Sequence, residues 1–66
     1  MQIEINGEST EVAPAIAMAA LIATLDLTGK RIAVEVNGEL VPRSRFDRHQ
    51  LAPGDRVEII QAVGGG

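Results

Sequence analysis

Cysteine is absent from this 66-residue sequence, and so are tryptophan and tyrosine. Without cysteine the chain has no disulfide to stabilise it, and its single histidine, His49, is too few for a zinc site made of protein ligands alone. We therefore expect His49 to occupy an exposed loop position without a catalytic or metal-binding role. Because 45% of the residues are hydrophobic and 23% are charged, the composition is that of a globular domain that depends on its core.

Positive charge and aromatic side chains are also scarce. Six lysine and arginine residues are outnumbered by nine aspartate and glutamate residues, which gives a net charge of −3, and Phe46 is the only aromatic residue. Nucleic-acid binding uses a basic surface and stacking platforms, so nucleic acid is not an expected partner. Arg43, Arg45 and Arg48 lie close together, but Asp47 interrupts them, and we interpret this cluster as a solvated loop.

Long apolar segments and nucleotide-binding motifs are missing as well. No apolar run approaches the roughly 20 residues that span a bilayer, and the N-terminus lacks the charged and apolar regions of a secretory signal. We expect a cytoplasmic protein that does not associate with membranes. The sequence has no glycine-rich phosphate-binding loop, so the chain is not expected to use a nucleotide by itself.

Apolar and polar residues alternate in several short segments, which is the period of a strand with one buried face. The predicted strands are Met1–Asn6, Ser9–Val12, Ile32–Asn37, Glu39–Val41 and Arg56–Gln61. Asn6-Gly7 and Asn37-Gly38 each join two of them, because Asn-Gly tolerates the positive φ angles of a tight hairpin turn. Pro42 cannot donate a hydrogen bond to a neighbouring strand, so the fourth strand should be short and lie at an edge.

One amphipathic helix is predicted between the two hairpins. Four apolar residues recur at the i, i+3, i+4 and i+7 spacing of one helical face: Met18, Leu21, Ile22 and Leu25. The start of the helix is placed between Pro14 and Ala17, where no capping side chain precedes it. Thr28-Gly29 is predicted to end the helix, with Lys30-Arg31 adding positive charge near the negative end of its dipole.

These elements define an α+β fold, a mixed sheet of four to five strands with one helix packed on one face. The segment 43–52 is predicted as a loop in which Phe46 and Leu51 are buried and a single helical turn lies around residues 44–48. We assign residues 1–62 to this domain and residues 63–66 to a flexible tail.

The last predicted strand presents one apolar residue to the outside. Alternation that buries Val57 and Ile59 turns Ile60 outward, beside the tail. Single exposed apolar residues are common and need no function. Its place beside the tail nevertheless makes Ile60 the predicted contact for a partner.

The chain ends in Gly64-Gly65-Gly66, directly after the last predicted strand. Glycine makes up roughly 7% of average composition, so three glycines at a terminus are rare by chance. A frayed terminus explains such a tail, and so does a narrow partner site that admits only a peptide without side chains. From Val63 to Gly66 an extended chain reaches about 13 Å, which would place the terminal carboxylate in a recessed site.

Two internal segments and the terminal glycines together resemble a known family. Residues 34–44 read Val-Glu-Val-Asn-Gly-Glu-Leu-Val-Pro-Arg-Ser, and residues 54–59 read Gly-Asp-Arg-Val-Glu-Ile. With the Gly-Gly terminus, they resemble the sulfur carrier proteins of thiamine biosynthesis, which are ubiquitin-like β-grasp proteins. The resemblance covers essentially the whole chain, and the Asn-Gly-Glu-x-Val-Pro-Arg block is its most specific part.

The resemblance implies a carrier rather than an enzyme, with no cofactor bound by the chain itself. In such carriers a partner adenylyltransferase, similar to the E1 enzymes, uses ATP to convert the terminal carboxylate, here that of Gly66, to an acyl-adenylate. Sulfur from a donor such as a cysteine desulfurase or a rhodanese-like protein then replaces the adenylate as a thiocarboxylate, which thiazole synthase consumes. Val63, Gly64 and Gly65 would thread into the partner's active site.

The absences agree with this role, but alternatives remain open from the sequence. A chain without a phosphate-binding loop needs another protein to activate its carboxylate, and a chain without cysteine cannot carry sulfur on a side chain. Gly64 is a third glycine that the motif does not require. The alternatives are the small subunit of molybdopterin synthase, which has the same fold and thiocarboxylate chemistry, a ubiquitin-like modifier that is joined to a lysine, and a β-grasp interaction domain. The block at residues 37–43 favours the thiamine branch.

Overall fold

Five strands, one α-helix and one 3₁₀ turn make up the regular structure of residues 1–62, which are the residues that this computed structural model describes. In chain order the elements are β1 (Gln2–Ile5), β2 (Glu8–Glu11), α1 (Met18–Thr24), β3 (Ile32–Val36), β4 (Glu39–Val41), the 3₁₀ turn (Arg43–Arg45) and β5 (Arg56–Gln61). The predicted bounds of β4 and β5 are confirmed, whereas β2 begins and ends one residue earlier than predicted. The helical turn predicted around residues 44–48 is the 3₁₀ turn, which begins one residue earlier, at Arg43.

Both Asn-Gly pairs form the predicted hairpin turns. Asn6 and Gly7 have φ angles of 49° and 85°, and Asn37 and Gly38 have φ angles of 52° and 86°. Two successive positive φ angles are those of a type I′ turn, whose twist matches that of the flanking strands. The turns set the registers Ile5↔Glu8 between β1 and β2 and Val36↔Glu39 between β3 and β4.

The last strand occupies the centre of the sheet. The strand order is β2-β1-β5-β3-β4, with β5 parallel to β1 and antiparallel to β3. The sheet is therefore mixed and has five strands, as predicted, and the short β4 lies at an edge. Because β5 is central, the end of the chain leaves the middle of the sheet rather than its rim.

The helix begins one residue after the predicted range, and no side chain caps it. Ala17 is the N-cap residue and makes no side-chain hydrogen bond to the helix. The main-chain carbonyl of His49 accepts a hydrogen bond from Met18 N at 2.8 Å, and that of Phe46 accepts one from Ala19 N at 2.8 Å. The loop before β5 thus satisfies two of the first donors of the helix, which explains how it begins without a capping residue.

The prediction that the helix ends at Thr28-Gly29 is wrong. It ends four residues earlier at Thr24, because Asp26 adopts a left-handed φ of 63°. Asp26 N donates to Ala23 O and Leu27 N donates to Ile22 O, each at 3.0 Å, which is the Schellman pattern of a helix end. No basic residue lies in the last turn, so the predicted support of the dipole by Lys30-Arg31 is also wrong.

The helix covers one face of the sheet and encloses the core. Met18, Leu21 and Ile22 of the predicted stripe are buried, and Leu25 is half-buried against the same cluster. The other buried core residues come from the strands and the loop before β5: Ile3, Val34, Val36, Val41, Phe46, Leu51 and Val57. The predicted burial of Phe46 and Leu51 is confirmed. Within residues 1–62, no helix has the length and apolar character needed to cross a membrane.

Candidate functional site at the end of the last strand

On one side, β3 holds β5 along its whole length. Cross-strand pairs run from Val36↔Val57 to Ile32↔Gln61. Beyond the last of these pairs, Ala62 N donates a hydrogen bond to the carbonyl of Arg31 at 2.9 Å. The main chain is therefore fixed as far as Ala62, four residues before the terminal carboxylate.

On its other side, β5 extends beyond the end of β1, the strand that it pairs with there. The ladder with β1 ends at Ile5↔Val57, where Asn6 N donates to Val57 O at 2.8 Å before the chain turns away. The side chain of Asn6 then takes the place of the next strand residue. Its Oδ1 accepts from Ile59 N at 2.8 Å, and its Nδ2 donates to Ile59 O at 3.3 Å.

The other hairpin holds the start of β5. Asn37 Oδ1 accepts from Arg56 N at 2.9 Å, and Asn37 Nδ2 donates to Asp55 Oδ1 at 3.0 Å. Asp55 Oδ2 in turn accepts from Ala52 N at 2.9 Å. The two sequence blocks that carry the family resemblance, at residues 37–43 and 54–59, are therefore joined by hydrogen bonds, and at least part of their pattern serves the fold.

An apolar pair lies on the face of the sheet opposite the helix. Ile60 is 64% exposed and Leu40 is 66% exposed. Ile60 lies beside Ala33 of β3, and Leu40 lies beside Glu35 of the same strand. The prediction that Ile60 faces outward is confirmed. The sequence analysis missed Leu40, although the burial of Val41 next to it means that strand alternation directs Leu40 outward.

Charges of opposite sign flank this apolar pair. Glu35 and Glu58 are directly opposite each other on β3 and β5, next to Leu40 and Ile60. Lys30, Arg31 and Arg43 are exposed near the point where the chain leaves the sheet, and Arg43 Nη2 donates to the carbonyl of Lys30 at 2.7 Å. The outer sheet face is thus acidic, and the end from which the tail departs is basic.

The described residues offer little for catalysis. Between residues 1 and 62, no group of three or more His, Cys, Asp or Glu side chains could hold a metal ion. His49 is half-buried, so the prediction of an exposed position is wrong, and its carbonyl caps the helix. The α-amine of Met1 holds the pKa of the exposed Glu11 carboxyl below its usual value, through a hydrogen bond first and its charge second.

The predicted residues of the tail lie outside the described part of the chain. These residues are Val63, Gly64, Gly65 and Gly66. Their roles, and the division of the chain into a domain of residues 1–62 and a tail of residues 63–66, stay predictions. The role of Ile60 as a partner contact also stays a prediction, although its exposure is established.

Comparison with known proteins identifies the family. The model of the ThiS family matches residues 2–66. The sulfur carrier protein ThiS of Escherichia coli is 29% identical over 66 residues, which are the whole of both chains. The crystal structure of a thiamine biosynthesis protein (ThiS) from Geobacter metallireducens matches with a TM-score of 0.85 at 32% identity, over 100% of both chains.

A third relative is much longer. The thiazole synthase of Paramagnetospirillum magneticum is 35% identical over all 66 residues of this chain, but the match covers only 20% of that protein. The chain therefore spans about a fifth of the length of this relative.

A mixed five-stranded sheet with one helix on one face, in this strand order, defines a ubiquitin-like β-grasp domain. The chain belongs to the ThiS family, the small sulfur carrier proteins of thiamine biosynthesis, which are carriers rather than catalysts. The predicted family and its thiamine branch are confirmed.

Proposed function

We propose that this chain carries sulfur on its C-terminal carboxylate for the synthesis of the thiazole ring of thiamine. The observation that supports this most directly is that the ThiS family match extends through Gly66, so the terminal glycines belong to the matched pattern. The fixed main chain at Ala62 leaves four residues to reach a partner's active site. Gly65 and Gly64 would keep the path free of side chains, and Val63 would lie at its entrance.

The chemistry requires activation by another protein. A carboxylate is a poor acyl donor, so an oxygen of the Gly66 carboxylate attacks the α-phosphorus of ATP in the partner adenylyltransferase and releases pyrophosphate. With hydrosulfide as the simplest sulfur nucleophile, sulfur attacks the carbonyl carbon of the acyl-adenylate. The bond between that carbon and the bridging oxygen breaks, and AMP leaves with the oxygen on its phosphate. The product is a thiocarboxylate, and the oxidation state of carbon is unchanged. In the cell, a cysteine desulfurase or a rhodanese-like protein would supply the sulfur as a persulfide, whose outer sulfur would attack the same carbon and displace AMP. A thiol would then reduce the resulting acyl disulfide, which releases the thiocarboxylate and leaves a disulfide between the two thiol sulfurs.

We infer that thiazole synthase is the acceptor. In Paramagnetospirillum magneticum, a protein named thiazole synthase contains a segment similar to this whole chain. A carrier-like segment within the same polypeptide supports a pairing of the two in successive steps. The chain itself would bind no cofactor, since ATP belongs to the adenylyltransferase.

The test is intact-mass spectrometry of the full chain after incubation with its adenylyltransferase, ATP and sodium sulfide. We expect a mass increase equal to the difference between a sulfur and an oxygen atom, and no increase when ATP is left out. Addition of thiazole synthase with its other substrates should return the mass to its original value. An active adenylyltransferase that leaves the mass unchanged would contradict the proposal.

Tail variants provide the matched controls. Deletion of Gly66 or the substitution Gly65→Leu should abolish the mass change, because the reacting carbonyl is displaced or the path is blocked. Gly64→Ala should retain most of it, since the family motif does not require this glycine. Circular dichroism should show the same folded spectrum for all three variants. Equal modification of Gly65→Leu would mean that the tail does not enter a narrow site.

A further inference from the structure

The main chain of Gln61 has hydrogen-bonding groups that no strand of the described sheet uses. Along β5, even-numbered residues bond to the β3 side, as Arg56 does to Asn37 and Ala62 does to Arg31. Odd-numbered residues therefore direct their N–H and C=O groups to the β1 side. Because the β1 ladder ends at Val57, within residues 1–62 no strand residue lies beside Gln61 on that side.

The side chain of Asn6 marks where this open edge begins. Its carboxamide bonds to both main-chain groups of Ile59, so it serves as the last residue of the strand position that β1 occupies. The chain then turns back through Gly7 into β2. The position next to β5 is therefore filled as far as Ile59 and open at Gln61, while the β3 side stays occupied as far as Ala62.

We propose that an extended segment of the adenylyltransferase pairs with this open edge of β5, as an added strand that begins at Gln61. This inference rests on the proposed function, since it requires that the partner receives the tail. Glycines offer no side chains, so a partner recognises Gly64-Gly65-Gly66 through main-chain N–H and C=O groups, which a strand supplies at regular spacing. In the described part of the chain, Gln61 is the last residue whose main-chain groups on the β1 side have no strand partner.

The position of this edge distinguishes it from the other edges of the sheet. β2 and β4 also have an open side, but each is two strands away from β5. Neighbouring strands are about 4.8 Å apart, so a segment added outside β2 or β4 would be three spacings from β5, roughly 14 Å to the side of the departing tail. A segment that pairs at Gln61 would instead lie directly beside the strand from which the tail departs.

Gln61→Pro tests the pairing at one main-chain donor. Proline removes N–H from residue 61, which the ladder with β3 does not use, so we expect a folded variant. Gln61→Ala is the matched control, because it removes the same side chain and keeps the donor. Loss of one main-chain hydrogen bond should weaken binding of Gln61→Pro to the adenylyltransferase by about tenfold relative to Gln61→Ala.

Two further measurements separate this effect from a change in the direction of the tail. A semisynthetic chain with an ester in place of the Ile60–Gln61 amide lacks the same donor without a proline ring, and should bind as weakly as Gln61→Pro. Hydrogen exchange should show a fast Gln61 amide in the free protein that becomes protected in the complex. The Ala62 amide, already bonded to Arg31, should be protected in both.

The outcomes are distinct from those for the proposed function. If the ester chain binds as tightly as wild type and the Gln61 amide still exchanges fast in the complex, strand pairing is overturned. If Ile60→Ser weakens binding while Gln61→Pro and the ester chain do not, the partner docks on the outer sheet face instead, and strand pairing is again overturned. In either case sulfur loading of the wild-type chain would remain and the carrier role would stand. Absence of loading in the wild-type chain would overturn the carrier role.

Discussion

The two hairpins use the same dipeptide in the same turn, yet they hold opposite ends of the last strand. Asn37 bonds to Arg56 N and to Asp55 at the start of β5, whereas Asn6 bonds to both main-chain groups of Ile59 near its end. The first contact joins two turns, and the second replaces a missing strand residue. The same Asn-Gly sequence thus carries two functions beyond the turn itself.

The difference shows why asparagine suits both places. A carboxamide has an acceptor and a donor on one planar group, so it can satisfy an N–H and an oxygen at once. Asparagine also tolerates the positive φ that both turns impose. Glycine would satisfy only the turn, and aspartate would supply only acceptors. Substitutions can therefore separate the contribution of the turn from that of the side-chain hydrogen bonds.

The largest expected effect is that of alanine at either position. Asn6→Ala and Asn37→Ala should each lower the free energy of unfolding by about 2–3 kcal/mol, because two hydrogen bonds are lost and alanine is placed in the left-handed region. Urea denaturation of each variant beside wild type measures this. Asn6→Gly and Asn37→Gly are the controls, since glycine relieves the strain at φ and should lose only about 1–2 kcal/mol. A glycine variant as stable as wild type would mean that the side-chain bonds contribute nothing.

A smaller effect should distinguish the two hairpins from each other. Asn37→Asp places a second carboxylate about 3 Å from Asp55, whereas Asn6→Asp places one beside the carbonyl of Ile59. We expect Asn37→Asp to be less stable than Asn6→Asp by about 1 kcal/mol at neutral pH, because two full charges repel. The difference should shrink towards pH 3, where aspartate becomes protonated. An unchanged difference across this range would show that charge is not its cause.

The smallest effect concerns the open end of the first hairpin. The Met1 α-amine donates to Glu11 Oε2 at 2.8 Å and lowers the pKa of that carboxyl. A lowered pKa stabilises the fold above the unfolded value of about 4.5, and this contribution is lost as pH falls through the folded pKa. Glu11→Gln should therefore lower the unfolding temperature slightly at pH 7 and not at low pH.

Glu39 of the second hairpin is the control for this pH dependence. No ion pair involves Glu39 among residues 1–62. Glu39→Gln should therefore leave the dependence of the unfolding temperature on pH close to that of wild type. If both variants behave alike, the pair between Met1 and Glu11 makes no measurable contribution.

Most of the fold follows from local patterns, and the errors have local causes. Alternation and Asn-Gly pairs predict the hairpins and β5, because pleat and turn depend on adjacent residues. The helix end was wrong because Asp26 adopts the left-handed conformation that Gly29 was expected to supply. Gly29 has a φ of 81° in the following turn, where Lys30 N donates to Leu27 O. Asp26 and Gly29 can each adopt the left-handed conformation that ends a helix, and the sequence does not show which of them ends this one.

The candidate site is harder to predict from the sequence than the fold is. Alternation predicts the exposure of Ile60 and would also have predicted that of Leu40. The bonds of Asn6 to Ile59 join residues that are 53 positions apart, and no spacing rule reaches that far. The open edge at Gln61 depends on where β1 stops relative to β5, which is a property of the assembled sheet.

The borrowed caps of the helix have a consequence for the order of folding. A helix of seven residues is too short to persist alone in water. Its first donors bond to carbonyls of Phe46 and His49, which are distant in sequence. The helix must therefore wait for the loop before β5, and we expect one cooperative step without an early helical species. In such a chain, β5 takes its place in the sheet in the same step in which both hairpins form and bond to it.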